Sequence, residues 1–104
     1  MDVQIKKGIL EACVLAVIKR EPSYGYKIVG DVSECIAISE STLYPILRRL
    51  EAAGALSTYS KEHNGRLRKY YQITPMGEKR IAEFLESWKQ LKEVYDFIRG
   101  GNSQ

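Results

Sequence analysis

The stretch that decides the fold reads Ser39-Glu40-Ser41-Thr42-Leu43-Tyr44-Pro45-Ile46-Leu47-Arg48-Arg49-Leu50-Glu51-Ala52-Ala53-Gly54. Three of its first four residues, Ser39, Ser41 and Thr42, offer hydroxyl caps for a helix start, and Gly54 is a natural stop just past the last turn. Apolar residues recur on one side at helical spacing: Leu43, Ile46, Leu47 and Leu50. The stretch predicts a helix over about 40–53. Pro45 is compatible with it if the helix begins around Ser41 or Thr42, because the proline then lies in or beside the first turn.

Two strand-like runs follow this helix, over about 56–73. Asn64-Gly65 separates them, and this dipeptide is the strongest short-range signal for a two-residue hairpin. Strand alternation puts Arg66, Arg68 and Tyr70 on one face of the hairpin. The other face receives Leu67, Lys69 and Tyr71, and at least one of the two tyrosines should pack under the sheet. A helix followed by a strand, a basic turn and a strand is the order of a winged helix-turn-helix.

The charge of the chain is concentrated in this hairpin. The whole sequence carries a net charge of +3, from 16 basic and 13 acidic residues. Between Ser57 and Ile73 there are four basic residues and one acidic residue, so the hairpin accounts for the whole excess. Basic side chains there suit contacts to phosphates and give a salt-dependent affinity for nucleic acid.

Two further helices are predicted ahead of this stretch. The first runs from Val3 to Arg20, and its apolar rows make a face wide enough to contact two surfaces: Ile5, Ile9, Cys13 and Val17, with Leu10, Val14 and Ile18. Ser23 can cap a second helix that ends at about Cys35. The segment Ile36-Ala37-Ile38 is predicted to be a buried turn or a brief strand.

The last helix is predicted from Thr74, as N-cap, to about Ile98. Its apolar residues follow the 3-4-3-4-3 spacing of a coiled-coil seam: Ile81, Phe84, Trp88, Leu91, Tyr95 and Ile98. About 24 helical residues span roughly 36 Å, which is longer than a small domain needs. We therefore expect a DNA-binding domain over 1–74 and a dimerisation helix with a short flexible tail over 75–104, paired with a second copy of the chain.

Composition and length place the chain in a broad class. With 104 residues, 44% of them hydrophobic and 28% charged, it is expected to be one globular domain in the cytoplasm. No apolar run approaches the roughly 20 residues that span a bilayer, and the start does not resemble a signal peptide, so no membrane partner is expected. The two cysteines, Cys13 and Cys35, are most simply a pair of buried thiols. A redox switch remains open, although nothing around either residue suggests an activated thiolate.

The candidate site residues fall into two groups. Those expected to contact duplex DNA are Tyr24, Lys27, Ser39, Ser41, Thr42, Tyr44, Arg48, Lys61, His63, Asn64, Arg66, Arg68 and Lys69. Those expected at an effector-binding dimer interface are Ile9, Cys13, Phe84, Trp88, Leu91, Tyr95 and Ile98. Trp88 either fills the interface as packing or forms, with its copy, a pocket for a flat aromatic ligand.

Catalytic chemistry finds little support in the sequence. The sequence has a single histidine, no close Cys/His pair and no glycine-rich phosphate loop. It therefore offers neither a set of metal ligands nor a nucleophile paired with a general base. We expect no enzyme activity, no metal and no cofactor.

Several motifs resemble the PadR family of bacterial transcriptional regulators over about nine tenths of the chain. They are Ser23-Tyr24-Gly25-Tyr26, Ser41 to Glu51, Ala53-Gly54-Ala55-Leu56, and Gly65 to Gly77 with its Arg-Lys-Tyr-Tyr run and Thr-x-x-Gly. The single C-terminal helix is similar to the small subfamily, and Phe84 to Trp88 resembles the LmrR-type multidrug-sensing repressors. The resemblance implies a homodimer that binds a palindromic operator and represses until a small molecule releases it. It also implies that Trp88 stacks on a planar ligand, whereas Lys89 and Lys92 depart from a pocket for cationic drugs.

Two alternatives remain. The chain could bind DNA without any ligand, with Trp88 only as packing. It could also be a winged-helix module whose hairpin binds protein, although such modules usually lack a basic hairpin.

Overall fold

The computed structural model describes residues 1–101, in which four helices accompany one two-stranded antiparallel sheet. In chain order these are α1 (Val3–Arg20), α2 (Gly25–Ser33), α3 (Glu40–Ala52), β1 (Leu56–His63), β2 (Arg66–Ile73) and α4 (Pro75–Ile98). The expected fold class, mainly α with a small β-hairpin, is confirmed. The expected flexible tail beyond residue 101 lies outside the described residues.

A single core joins α1, α2, α3 and the root of the hairpin. The apolar row of α3 predicted from the sequence is buried at all four positions, Leu43, Ile46, Leu47 and Leu50. It packs against five residues of α1, two of α2 and three at the hairpin root: Leu10, Val14, Leu15, Val17, Ile18, Ile28, Val32, Ala55, Leu56 and Tyr71. Burial of this apolar surface fixes the orientation of α3, so its polar side faces solvent.

The hairpin has the geometry that its turn residues predict. Asn64 and Gly65 both have positive φ, 53° and 78°, as a type I′ turn requires. His63 therefore pairs with Arg66, and the register continues to Leu56 opposite Ile73. The strand alternation follows as predicted, and of the two adjacent tyrosines it is Tyr71 that is buried.

The start of α2 differs from the sequence prediction. Ser23 does not cap this helix: Tyr24 is the N-cap residue, and α2 ends at Ser33, two residues before Cys35. The Ser23 backbone instead pairs with Tyr71 in both directions, at 3.0 and 2.7 Å. The N–H and carbonyl of Tyr71 point away from β1, and buried backbone groups need hydrogen-bond partners. The carbonyl and N–H of Ser23 are those partners.

Three further expectations are corrected. The helix α3 begins at Glu40, so Pro45 lies in its second turn and not in or beside the first. Burial of the apolar row of α3 offsets the loss of the backbone hydrogen bond that Pro45 cannot donate.

The segment Ile36–Ile38 forms no strand and is only partly buried, with Ala37 exposed. Cys13 is half-buried and Cys35 is exposed, because Cys35 lies beyond the end of α2. The two cysteines are thus not a buried pair.

The helix α4 extends away from this core. Thr74 caps it by accepting a hydrogen bond from the Gly77 N–H at 3.1 Å, and the Thr74 hydroxyl donates to the Gly54 carbonyl at 2.6 Å. Only the first turns of α4 contact α1 and the hairpin, and the chain is 60 Å long by 26 by 20 Å. The apolar face of α4 from Trp88 onward is therefore left exposed.

Gly77 is the position where α4 approaches the hairpin root most closely. A Cβ there would overlap the Ala55 carbonyl oxygen and lie 2.6 Å from Ile73 Cγ1. We expect Gly77→Ala to lower the free energy of unfolding by about 2 kcal/mol through overpacking, as measured by urea denaturation. The matched control is Gly30→Ala within α2, where a Cβ meets nothing within 4 Å. That variant should gain about 0.5–1 kcal/mol, and equal effects at both positions would contradict the steric explanation.

Candidate nucleic-acid interface

The exposed start of α3 carries a cluster of hydroxyl groups. Ser39 is the N-cap, and its Oγ accepts a hydrogen bond from the Thr42 N–H at 3.3 Å. The same Oγ lies 3.0 Å from Ser41 Oγ and donates to Thr42 Oγ1 at 3.2 Å. These contacts order three small polar side chains at the N-terminus of α3. In helix-turn-helix folds, the N-terminal residues of the corresponding helix contact base edges in the major groove.

Tyr44 and Arg48 continue the polar side of α3. Arg48 is exposed, and the Tyr44 side chain is 37% exposed with its hydroxyl against Gly25. A Cβ at position 25 would overlap that hydroxyl. The glycine thus lets the phenol lie beside the start of α2, with its hydroxyl at the edge of the polar surface.

The hairpin formed by β1 and β2, which we call the wing, has an exposed, basic tip. The predicted residues Lys61, His63, Asn64 and Arg66 all lie there with exposed side chains. The register places Lys61 directly opposite Arg68 and His63 opposite Arg66. Lys61 and Arg68 carry like charges, which are unfavourable opposite each other across a strand pair, and a bound anion relieves the repulsion.

An aromatic stack attaches the wing to α2. The Arg68 guanidinium carbon lies 3.8 Å from the centroid of the Tyr24 ring, which contacts the Tyr70 ring edge-on at 5.5 Å. Tyr70 in turn stacks on Tyr59 with centroids 5.4 Å apart and planes inclined by 7°. The planar guanidinium suits such stacking, which holds Arg68 in place. Sequence reasoning missed Tyr59, although the two-residue turn fixes the register that places it opposite Tyr70.

A cleft of about 260 Å³ lies between α2, α3 and the wing. Its lining combines aromatic rings, hydroxyls and two basic side chains: Tyr24, Gly25, Tyr26, Tyr44, Arg68, Lys69 and Tyr71. The N-cap residue of α2, Tyr24, gives no side-chain hydrogen bond to the helix start. Amide N–H groups at a helix start, together with two cations, favour an anionic occupant. Tyr26, 76% exposed, was also missed in the sequence.

Two of the predicted contacts are already engaged within the chain. Lys27 Nζ lies 2.9 Å from Asp31 and 3.7 Å from Glu21, and the hydrogen bond to Asp31 raises the pKa of Lys27. Lys69 Nζ lies 3.6 Å from Glu51, which also accepts a hydrogen bond from Thr58. Lys27 faces two carboxylates and is the least suited of the predicted residues to bind phosphate. Its assignment, like the others, stays a prediction.

The predicted effector and dimer residues lie along α4 and the adjoining side of α1. Trp88 is 45% exposed and stacks on Phe84 at 6.0 Å, with an interplanar angle of 14°. Trp88, Leu91 and Tyr95 line an open groove of about 400 Å³ beside the Lys92–Asp96 ion pair. A second, wholly apolar groove runs between α1 and α4, and it is lined by Ile9, Ala12, Cys13, Ala16, Ile81, Phe84 and Leu85. Ile98, at the end of the row, is exposed.

Residues 1–101 show neither of two further features. No group of three or more metal-ligating side chains occurs in that part of the chain. None of the helices described there is long and apolar enough to cross a membrane.

Comparison with known proteins gives one family. The model of the transcriptional regulator PadR-like family matches residues 14–83. A solved structure from Streptococcus mutans UA159 is 40% identical with a TM-score of 0.80, over 94% of this chain and 93% of that one. Transcriptional regulator Rv3488 of Mycobacterium tuberculosis is 39% identical over 66 residues, which are 64% of this chain and 59% of that protein. Bacillus subtilis PadR, solved in complex with operator DNA, shares the fold at a TM-score of 0.69 and 20% identity, over 74% of this chain and 46% of its own.

Proposed function

The chain belongs to the PadR-like family of transcriptional regulators, and on that premise we propose that it is a homodimeric repressor that binds a palindromic operator. The family is one of regulators and not of enzymes. The observation that carries the proposal is the exposed hydroxyl cluster at the start of α3, together with the cleft that Tyr44 of α3 and Arg68 of the wing line. We place its action in the cytoplasm, where the operator is.

The surface divides into two modes of contact with DNA. The ordered hydroxyls of Ser39, Ser41 and Thr42 suit base edges in the major groove, where small polar side chains can read sequence. Arg66 and Arg68 suit the phosphates beside the groove, because a bound phosphate also relieves the repulsion between Arg68 and Lys61. The shared fold with Bacillus subtilis PadR, which was solved with operator DNA, supports this orientation.

The dimer is supported by the exposed apolar face of α4. Trp88, Leu91 and Tyr95 are 45–60% exposed in the isolated chain, and the face continues into the apolar groove beside α1. An apolar seam of this length on one helix is typical of pairing with a second copy. A two-fold dimer presents two copies of α3, which explains why the proposed operator is palindromic.

The proposed effector is a planar aromatic molecule bound between the two α4 helices. Phe84 and Trp88 already stack within one chain, so a flat ligand can extend the stack between two copies. Binding there changes how the helices pair and with it the spacing of the two α3 helices. This agrees with the resemblance to LmrR-type repressors, although Lys92 and Asp96 line the groove as a neutral pair.

The experiment that tests the proposal is selection of a random duplex DNA pool on the purified protein, followed by sequencing of the retained molecules. Recovery of a two-fold palindrome is the expected result, and it would support both the dimer and sequence-specific binding. Absence of enrichment at low salt would contradict DNA binding and favour the protein-interaction module.

Replacing Trp88 tests the effector half of the proposal. We expect Trp88→Leu to keep operator binding but to lose release of DNA by planar aromatic compounds such as acridine, because leucine cannot stack. The readout is the compound concentration that releases a labelled operator, which should rise at least tenfold, equivalent to about 1.4 kcal/mol. Phe97→Leu is the matched control, since Phe97 is exposed and lies about two and a half turns along α4 from Trp88, on the opposite face of the helix. If Trp88→Leu responds fully, stacking on Trp88 is excluded.

A further inference from the structure

A groove of about 470 Å³ lies between the start of α1 and the exposed side of α3. Its lining comes from these two helices alone: Val3, Lys6, Lys7, Leu10, Thr42, Pro45, Ile46 and Arg49. It is therefore separate from the grooves beside α4 and from the cleft beside α2. A volume of this size lies within the range of small-molecule sites in proteins.

The floor of the groove is aliphatic. Leu10 and Ile46 are core residues that also line it, and Pro45 lies beside them. Val3, which is 79% exposed, extends this apolar surface into solvent. No aromatic ring occurs among the described residues of the lining. Such a surface favours an alkyl chain and offers nothing on which a planar ligand could stack.

The remaining residues give the groove a positive charge. Lys6 and Lys7 are exposed, and over residues 1–101 neither takes part in an ion pair. Arg49 pairs with Glu11 at 3.6 Å, but Glu11 is shared with Arg80 at the same distance. None of the described residues that line the groove is acidic. A negatively charged group in the groove thus meets an excess of positive charge.

We propose that this groove binds a fatty-acid carboxylate, with its alkyl chain on the aliphatic floor and its head group among Lys6, Lys7 and Arg49. An inorganic anion leaves the floor exposed to water, and an uncharged alkyl chain makes no ion pair with the basic side chains. Only an amphipathic anion satisfies both parts of the lining. The site differs from the one proposed for planar aromatic molecules, since none of its residues belongs to α4.

The groove adjoins the part of α3 that is proposed to contact DNA. Thr42 lines the groove, and its hydroxyl also accepts the hydrogen bond from Ser39 Oγ at 3.2 Å. A bound carboxylate adds a negative charge close to residues that approach the DNA phosphates, and like charges repel. This consequence rests on the proposed function: a saturating fatty acid should weaken operator binding by about fivefold or more.

The site itself is tested without DNA, with decanoate as the ligand. Two-dimensional amide NMR spectra of the full-length protein locate the bound molecule, and calorimetry gives its dissociation constant. We expect saturable shifts over residues 3–10 and 42–49. Decanol has the chain without the charge and acetate has the charge without the chain, so each should bind at least about tenfold more weakly.

Three outcomes of this titration would overturn the proposal. The first is a set of shifts confined to α4 around Trp88, which would place decanoate in the other groove. The second is the absence of any saturable shift, as expected if a second copy of the chain covers the groove. The third is equal binding of decanol, since the basic side chains would then contribute nothing.

A charge-removing variant tests the basic side chains directly. Lys6→Gln combined with Lys7→Gln leaves the core unaltered, because both side chains are exposed, and should raise the dissociation constant of decanoate at least about tenfold. The matched control is Lys19→Gln with Arg20→Gln, which removes the same charge from the last turn of α1, about 20 Å further along the helix. The control should bind decanoate as the wild type does. Equal losses in both variants contradict a local site.

The effect on DNA is measured separately, with the operator recovered by selection. Saturating decanoate should weaken operator binding by the wild type at least about fivefold, and it should have much less effect on the Lys6 and Lys7 variant at the same concentration. Unchanged operator affinity with the groove verified as occupied would exclude the regulatory role. If the protein binds no operator at all, the proposed function fails, whereas the NMR titration still decides whether the fatty-acid site exists.

Discussion

Replacing Arg66 and Arg68 together by alanine is expected to weaken binding to every duplex sequence by about 10- to 100-fold near 0.1 M salt. Each phosphate contact releases condensed counterions from the duplex, so the logarithm of the binding constant falls linearly with the logarithm of the salt concentration. Losing one or two contacts lowers the steepness of this line, the salt slope, by about one to two units. The measurement is the dissociation constant of the operator and of an unrelated duplex, each at several salt concentrations. Both should weaken by a similar factor, because phosphate contacts carry no sequence information.

Besides contacting phosphate, Arg68 stacks on Tyr24, and a substitution by lysine separates these two roles. Its guanidinium stacks on the Tyr24 ring at 3.8 Å, and Tyr24 contacts Tyr70, so Arg68 also fixes the position of the wing. Arg68→Lys keeps the charge but loses the planar stack. If the charge alone matters, this variant keeps most of the affinity and the full salt slope. If the stack orients the wing, affinity falls while the slope stays near that of the wild type.

A charge-matched control is available on α4. Lys79→Ala combined with Lys89→Ala also removes two positive charges, from exposed positions outside the wing. This control should change the salt slope by much less, because distant exposed charges are screened beyond about 10 Å at 0.1 M salt. An unchanged slope in the arginine variant would exclude phosphate contacts by Arg66 and Arg68. Equal effects in both variants would indicate that net charge, and not the wing, determines binding.

The features that the sequence predicted are those set by local patterns. The hairpin register follows from Asn64-Gly65, because both residues must adopt positive φ in a two-residue turn. The bounds of α4 follow from Thr74-Pro75 at its start and from its periodic apolar row. The buried row of α3 follows from the same 3.6-residue periodicity. In each case the chemistry of a few neighbouring residues is sufficient.

The features that escaped prediction depend on residues far apart in the sequence. Ser23 has the side chain of an N-cap residue, but its backbone pairs with Tyr71 at the hairpin, and α2 begins two residues later. Glu11 shows the same limit, since it forms ion pairs with Arg49 of α3 and Arg80 of α4, both at 3.6 Å. No spacing rule identifies such partners. The arrangement of the candidate site also depends on tertiary packing, because the cleft beside α2 exists only where three elements meet.

Replacing Leu91 and Tyr95 together by aspartate is expected to convert the proposed dimer into a monomer. Both side chains are at least half exposed in the isolated chain and lie on the same face of α4 as Trp88. In a two-fold pairing they become buried, and a carboxylate without a partner in an apolar interface costs several kcal/mol. Two substitutions in each of two chains place four such carboxylates in the seam. Light scattering coupled to gel filtration should therefore give the mass of one chain, whereas the wild type gives twice that mass.

The same variant should lose affinity for a palindromic operator by about 100-fold or more, because each half-site is then bound separately and the avidity of two linked sites is lost. Affinity for an isolated half-site should remain, since α3 and the wing are unaltered. The matched control is Gln90→Asp with Phe97→Asp, two exposed positions on the opposite side of α4 that add the same charge. This control should stay dimeric and keep its operator affinity. If the Leu91 and Tyr95 variant remains a dimer, the apolar row of α4 is not the interface; if only the control dissociates, the pairing uses the other side of the helix.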